Sequence, residues 1–312
     1  MMQWPKLDRP AALALGTFDG VHLGHQALLR ATEREAARLG VCSAALTFRG
    51  HPAAALDRPA PALILTPEEK RQTLLDYGLD EVVLIGFDKE VAAFMPAAFV
   101  EQMLRWADIR HVVVGYNFRF GCHAAGTPEI LADLGRQYGF GVTCVPRVEI
   151  EGQPVSSTGI RQLIQEGQTL RAARWMGRAY GLSGKIERGK QLGRTLGFPT
   201  VNLSLPAGKV KPAGGVYTSL LYDGTAWRPG VTNVGLNPTV SNDGRLRIET
   251  FVMDEGAVPS YGAQVRVALL ERLRGERKFE SVQALRDQVE ADKAAARAGH
   301  DEKKSLYFTL VP

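Results

Sequence analysis

Two histidines three residues apart, His22 and His25, close the segment Gly16-Thr17-Phe18-Asp19-Gly20-Val21-His22-Leu23-Gly24-His25. Residues at that spacing share one face of a helix, so a helix starting here aims both imidazoles the same way. The first turn of a helix also offers unpaired backbone N–H groups and a partial positive charge. The combination is a phosphate site with two side-chain donors, and Gly24 between them lets a nucleotide approach the backbone closely. A second polar cluster, Ser156-Ser157-Thr158-Gly159-Ile160-Arg161, reads either as a polar turn with Ser157 or Thr158 capping a helix, or as hydroxyls and a guanidinium gathered for phosphates.

The second half of the chain carries its own candidates. The stretch from Gly184 to Arg194 holds three glycines and four basic residues, the composition of a phosphate-cradling loop. From Gly184 to Lys190 it nearly spells a Walker A loop, but Gln191 stands where that motif needs Ser or Thr to hold Mg²⁺, and a Gly-rich segment follows instead of a helix. In Gly193-Arg194-Thr195-Leu196-Gly197-Phe198-Pro199-Thr200-Val201-Asn202, Thr200 and Asn202 are two apart. On a strand they face one side, where two hard oxygens can reach one ion. Glu249 sits in an apolar run from Leu246 to Met253, an unusual place for a surface carboxylate.

These segments resemble, in order and spacing and over essentially the whole chain, the bacterial bifunctional riboflavin kinase/FAD synthetases. Gly16–His25, Gly115-Tyr116-Asn117-Phe118-Arg119-Phe120-Gly121 and Ser156–Arg161 are similar to that family's three nucleotide-binding motifs, and Gly193–Asn202 to its kinase signature. The resemblance implies an enzyme that phosphorylates riboflavin to FMN and adenylylates FMN to FAD, both with ATP and Mg²⁺. It implies that His22, His25, Gly16, Thr17, Phe18, Gly24, Ser156, Ser157, Thr158 and Arg161 hold ATP for adenylyl transfer. Asn117 and Arg119 would organise the flavin phosphate and nucleotide. Gly184, Lys190, Gly193, Arg194 and Pro199 would serve ATP in the kinase, Thr200 and Asn202 would bind Mg²⁺, and Glu249 would be the catalytic carboxylate. Thr232–Thr239 and Arg247–Thr250 complete the kinase pattern, and Leu273–Phe279 with the last helix resembles the segment that covers the flavin ring.

The chain departs from the family in four places. Gly50 replaces the first Pro of a Phe-x-Pro-His-Pro motif, which leaves His51 between a structural loop histidine and a ligand. His123 stands where many relatives have a basic residue, Phe251 where many have His, and Val201 where Ala is usual; Val201 should point away from the ligands. Cys122 has no neighbouring base and reads as a bystander.

The elements that must position these residues follow from periodicity. Strands are expected at Ala11–Leu15, Val41–Phe48, Glu81–Ile85, His111–Val114 and Val142–Val145. Helices are expected at Leu23–Leu39, Pro67–Tyr77, Pro96–Trp106 and Thr127–Tyr138. This alternation predicts an α/β domain with a doubly wound, mostly parallel sheet, whose ligands bind at the carboxyl ends of its strands. Pro52–Pro61 reads as a surface loop and Gln162–Tyr180 as a helical, basic link. Beyond residue 182, short β-rich runs such as Val216–Leu221 and Gln264–Leu270, broken by Gly, Pro, Asn and Asp, predict an antiparallel β-barrel or sandwich. A final helix is expected from the N-cap Ser281 to about Ala298. The predicted domains are 1–182 for adenylyl transfer and 183–312 for the kinase.

Composition bounds the alternatives. The 312 residues are 45% hydrophobic and 23% charged, with 38 basic against 33 acidic side chains. That mild excess, with 8% aromatics in no clustered pattern, argues against a nucleic-acid-binding module. Three cysteines without a CxxC pair imply neither a disulfide framework nor a zinc site. No apolar stretch is long enough for a membrane span, and a cytoplasmic enzyme of small-molecule substrates is expected. A single-activity FAD synthetase with a degenerate kinase half is disfavoured by the intact Thr200, Asn202 and Glu249. An HxGH enzyme acting on another phosphorylated substrate would leave the second half unexplained.

Overall fold

The computed structural model describes residues 4–188, 198, 200–236, 246–254 and 259–311. The chain divides into two compact units, Met1–Ser157 and Thr158–Pro312.

The first unit alternates strands and helices: β1 (Ala11–Leu15), α1 (Leu23–Leu39), β2 (Cys42–Phe48), α2 (Pro67–Asp76), β3 (Glu81–Ile85), α3 (Lys89–Ala93), α4 (Pro96–Trp106), β4 (Ile109–Gly115), α5 (Pro128–Tyr138) and β5 (Gly141–Val145). A two-stranded hairpin, β6 (Glu149–Ile150) with β7 (Gln153–Pro154), then leads to α6 (Ser157–Gln165). The main sheet has the order β3-β2-β1-β4-β5, and every pair in it is parallel. Strand residues alternate between two cores, as a sheet covered on both faces requires. Leu13, Leu46 and Val112 pack with Phe99, Met103 and Leu131 from α4 and α5. Ala14, Ala45 and Val113 pack with Leu28, Leu29 and Leu74 from α1 and α2. The chain leaves β1 toward β2 on one side, and β4 flanks β1 on the other. The carboxyl ends of β1 and β4 therefore flank the switch point where such sheets bind ligands.

The second unit places α7 (Thr169–Met176) before six antiparallel strands: β8 (Tyr180–Lys185), β9 (Thr200–Ser204), β10 (Gly215–Tyr222), β11 (Trp227–Leu236), β12 (Leu246–Val252) and β13 (Gln264–Arg274). Their order is β8-β13-β10-β11-β12-β9. Beyond β8, Glu187 forms an isolated bridge to Asn202 of β9, so the sheet curls into a half-barrel whose edges meet. Helix α8 (Val282–Thr309), N-capped by Ser281, closes the chain.

Most predicted elements stand within a residue or two. Three expectations change. Pro52–Leu56 forms a short 3₁₀ helix within the expected loop, started by Pro52 and capped by His51. The expected link contains the last turn of α6, all of α7, and the start of β8, and it packs into the core: Thr169 and Ala173 are fully buried, Thr169 Oγ1 donating 2.6 Å to the Leu270 carbonyl. Helix α8 runs eleven residues past Ala298, because Ala296, His300 and Tyr307 continue its buried face.

Candidate active sites

The turn after β1 is built as the sequence implies, and is tied down from four directions. His22 N-caps α1, its Nδ1 accepting from the His25 backbone N–H at 3.3 Å. The two imidazoles stack with centroids 3.7 Å apart and an interplanar angle of 16°. Phe18, fully buried, meets His25 edge-on at 5.2 Å, so its ring backs the histidine pair. A Cβ on Gly24 would lie 3.1 Å from the His22 ring; glycine leaves room for that ring as well as for a ligand. Phe18 and Val21 hold left-handed φ values of 48° and 37°, costly for bulky residues and sustained only when surroundings fix them.

Those surroundings are specific. The buried Asp19 carboxylate accepts from the Ile64 and Leu65 backbone N–H groups at 3.0 and 3.2 Å. The Asp19 carbonyl accepts from Ser157 Oγ at 2.7 Å. The Thr17 carbonyl accepts from Thr47 Oγ1 at 3.0 Å and from Lys70 Nζ at 3.0 Å. Lys70 Nζ also donates to the Phe48 carbonyl at 2.6 Å. Lys70 is only 4% exposed, and burial lowers its pKa to about 8 against the opposing pull of Asp19. None of Asp19, Thr47 and Lys70 was among the site residues expected from the sequence. Asp19 lies inside the quoted motif, whereas Lys70 and Thr47 carry no local signal.

Ser157 is the first residue of α6, and its hydroxyl donates to the Asp19 carbonyl. Thr158 and Arg161 follow on the same helix. Asn117 and Arg119 are exposed in the loop after β4, and Arg119 donates to the Phe118 carbonyl at 2.8 Å. His51 Nδ1 accepts from the Ala53 N–H at 3.2 Å, a capping bond. His123 is exposed with φ 56°.

In the second unit the signature residues line up across strands. Asn202 of β9 pairs with Glu249 of β12, which pairs with Asn233 of β11. Directly opposed residues present their side chains to one face, so these three form a lateral row. Thr200, two residues along, shares that face. Val201, Leu203, Ile248 and Thr250 are buried on the other; Val201 points away from the row, as expected. The Asn202 amide donates to the Thr200 carbonyl and to Thr200 Oγ1, both at 3.3 Å. Asn202 Oδ1 is buried and has no hydrogen-bond partner among the described residues. Beside the row, Phe251 meets Phe198 edge-on at 6.0 Å, and Lys293 of α8 lies about 5 Å from both ring centres.

One expectation changes here, and several fall on residues that are not described. Gly184 lies within β8, paired with Val265, so it belongs to a strand and not to a loop. Lys190, Gly193, Arg194 and Pro199, with Asn237–Thr239 of the quoted pattern, lie outside the described residues.

The row offers an amide oxygen, a hydroxyl and a carboxylate beside one another. No group of three or more His, Cys, Asp or Glu able to hold a metal occurs among the described residues. A cation reached by the oxygens of Thr200 and Asn202 would take the rest of its shell from water and from a phosphorylated ligand, as Mg²⁺ commonly does. The orphaned Asn202 oxygen fits that arrangement.

A family model described as FAD synthetase matches residues 5–159, and one described as riboflavin kinase matches residues 176–299. The chain is 35% identical over 292 residues to the bifunctional riboflavin kinase/FMN adenylyltransferase of Pseudomonas fluorescens, covering 93% of each protein. It is 34% identical over 289 residues to that of Escherichia coli K12, covering 91% of each. Among solved structures, a Streptococcus pneumoniae chain described as a macrolide-efflux protein superposes with a TM-score of 0.85 at 32% identity, over 93% of this chain and 95% of that one. No helix among the described residues here is long and apolar enough to cross a membrane.

Proposed function

Because the chain belongs to the bifunctional riboflavin kinase/FMN adenylyltransferase family, and so carries out both steps from riboflavin to FAD, we propose that residues 1–182 perform adenylyl transfer at the His22–His25 turn and residues 183–312 perform the kinase reaction on the Asn202–Glu249 row. The observation that carries this division is the cross-strand row Asn202–Glu249–Asn233, which sets a candidate ion ligand beside a candidate base.

In adenylyl transfer, an FMN phosphate oxygen forms a bond to the α-phosphorus of ATP, and the bond from that phosphorus to the bridging oxygen breaks, releasing pyrophosphate. The nucleophile is already anionic at neutral pH, so alignment and charge stabilisation matter more than a general base. His22, His25, the first N–H groups of α1, and Ser156, Ser157, Thr158 and Arg161 donate hydrogen bonds to the phosphates. Gly16 and Thr17 set the turn, and Asn117 and Arg119 orient the flavin phosphate.

In the kinase reaction, the ribityl 5′-hydroxyl oxygen bonds to the γ-phosphorus of ATP and ADP departs. Glu249 accepts the hydroxyl proton, which water would remove poorly because the group's pKa is high. Thr200 and Asn202 would hold Mg²⁺, whose charge would offset that of the phosphates. Lys190, Gly193, Arg194 and Pro199 are assigned to ATP by the family resemblance of their motif. Three free cysteines support a cytoplasmic setting. Paired assays test the division: one tube receives riboflavin and ATP, the other FMN and ATP, and single-site variants should lose one product at a time.

A further inference from the structure

A lysine four residues into a capped helix ordinarily extends into water. Lys70 does not. Helix α2 is fixed at its start by a capping box, Thr66 Oγ1 accepting from the Glu69 N–H at 3.2 Å and Glu69 accepting from the Thr66 N–H at 2.9 Å. One residue later, Lys70 turns inward and ends 3.0 Å from the Thr17 carbonyl and 2.6 Å from the Phe48 carbonyl. Thr17 is the second residue after β1, and Phe48 is the last residue of β2, the strand beside it. One ammonium thus joins the exits of two adjacent strands.

Burying a charged amine is unfavourable unless its hydrogen bonds are replaced. A site selected for stability alone would favour an apolar side chain over a desolvated cation. The depressed pKa of Lys70 records that penalty. The geometry indicates what the cation does there. Thr17 precedes Phe18 with its left-handed φ, and Val21 with the other precedes the N-cap His22. The Asp19 carboxylate holds the same turn to the backbone at residues 64 and 65 that leads into α2. Lys70 from α2 and Asp19 from the turn are therefore opposite-charge ties across one seam, each bonded to the other segment's backbone.

From this arrangement we infer that Lys70 is a positioning residue for adenylyl transfer: by clamping the Thr17 carbonyl to the end of β2, it sets the strained turn that aims His22 and His25 at the nucleotide phosphates. The inference rests on the reading of that turn as the adenylyl site. In this role Lys70 acts through the Thr17 and Phe48 carbonyls it binds.

The test is made on the full-length protein. Lys70→Met keeps the length and removes the charge and all three donors. FAD formation from FMN should fall roughly 10²-fold, the loss typical of a small misplacement of catalytic groups, and KM for ATP should rise. Riboflavin phosphorylation by the same preparation should stay unchanged. Thermal unfolding of the N-terminal half should occur at the wild-type temperature or above it, a result that a merely structural lysine would not give. Lys70→Arg, which keeps a donor cation, should recover at least about tenfold of the lost rate. An unchanged rate and KM in Lys70→Met overturns the inference. If Lys70→Met fails to fold, a folded Lys70→Arg as slow as His25→Ala overturns it equally. His25→Ala run alongside separates the two levels: full FAD synthesis there overturns the site itself, whereas loss in His25→Ala with none in Lys70→Met overturns the role of Lys70 alone.

Discussion

Asn202 and Glu249 face each other directly across the antiparallel strands β9 and β12. Forty-seven residues apart in sequence, they share a face because each belongs to an alternating strand whose other face is buried. Val201 and Leu203 flank Asn202 as Ile248 and Thr250 flank Glu249, all in the interior. A slip of one residue in this register would turn both polar groups into the core and break the site without changing its composition.

Glu249→Gln keeps the size of the side chain and removes its capacity to take a proton. FMN formation should drop roughly 10²–10⁴-fold, with little change in ATP affinity. FAD formation from supplied FMN should persist. Normal riboflavin phosphorylation by the variant would refute Glu249 as the base, and loss of both activities would indicate coupling between the sites or misfolding.

The Asn202 amide oxygen gives a different signature. Leaving a buried acceptor unpaired costs about 1–3 kcal/mol, so Asn202→Ala removes a penalty along with two 3.3 Å bonds to Thr200. Thermal stability should hold or rise, while the Mg²⁺ concentration giving half-maximal kinase rate should increase by about tenfold or more. A fall in melting temperature with an unchanged Mg²⁺ dependence would make Asn202 structural.

The sequence discloses groups whose geometry is local. His22 and His25 share a helix turn, Thr200 and Asn202 share a strand face, and the termini of β1, α1, β3 and α4 coincide with their hydrophobic periods. It does not disclose groups whose role depends on another segment. Lys70 reads as a solvated helix lysine, and only the packing of α2 against the sheet turns it toward Thr17. Helix α8 looks finished near Gly299 because a polar stretch follows, yet Tyr307 is fully buried and bonds Glu271 at 3.0 Å. Gly184 belongs to a loop by composition but to β8 by its pairing with Val265. Composition carries no information on which backbone groups a sheet has already used.

His25→Ala keeps the backbone N–H that donates to His22 Nδ1 but removes the stacked imidazole and with it a hydrogen-bond donor to phosphate. FAD formation should be lost while FMN accumulates from riboflavin. Loss of one preorganised donor commonly lowers kcat by about 10²–10³-fold. Product analysis by chromatography decides: FAD at the wild-type rate would remove His25 from the site.

Lys70 also predicts a dependence of stability on pH with an unusual direction. Its pKa is lowered to about 8 by burial, whereas an unfolded lysine titrates near 10.4. Between those values the unfolded chain binds more protons than the folded one, so stability rises with pH. The unfolding free energy of wild type relative to Lys70→Met should therefore increase from pH 7 to pH 10.5, by at most about 3 kcal/mol. A difference that shrinks over that range, or stays constant, would mean that the ammonium is not desolvated.

The two halves should separate, and the place of the cut matters. A fragment from Ala179 to Pro312 keeps all six strands of the half-barrel and the row Asn202–Glu249–Asn233. It discards α7, whose Ala173 packs with Leu220, Ala268, Leu270 and Tyr307, and whose Thr169 bonds the Leu270 carbonyl. Losing that apolar cover and one buried hydrogen bond should cost about 3 kcal/mol. A fragment from Thr158 retains both. Each fragment should phosphorylate riboflavin and neither should make FAD, with the longer one melting several degrees higher. Circular dichroism melts and FMN assays on the pair check this. Equal melting temperatures would mean that α7 does not support the half-barrel, and a folded but inactive Thr158 fragment would mean that the kinase reaction needs the first half.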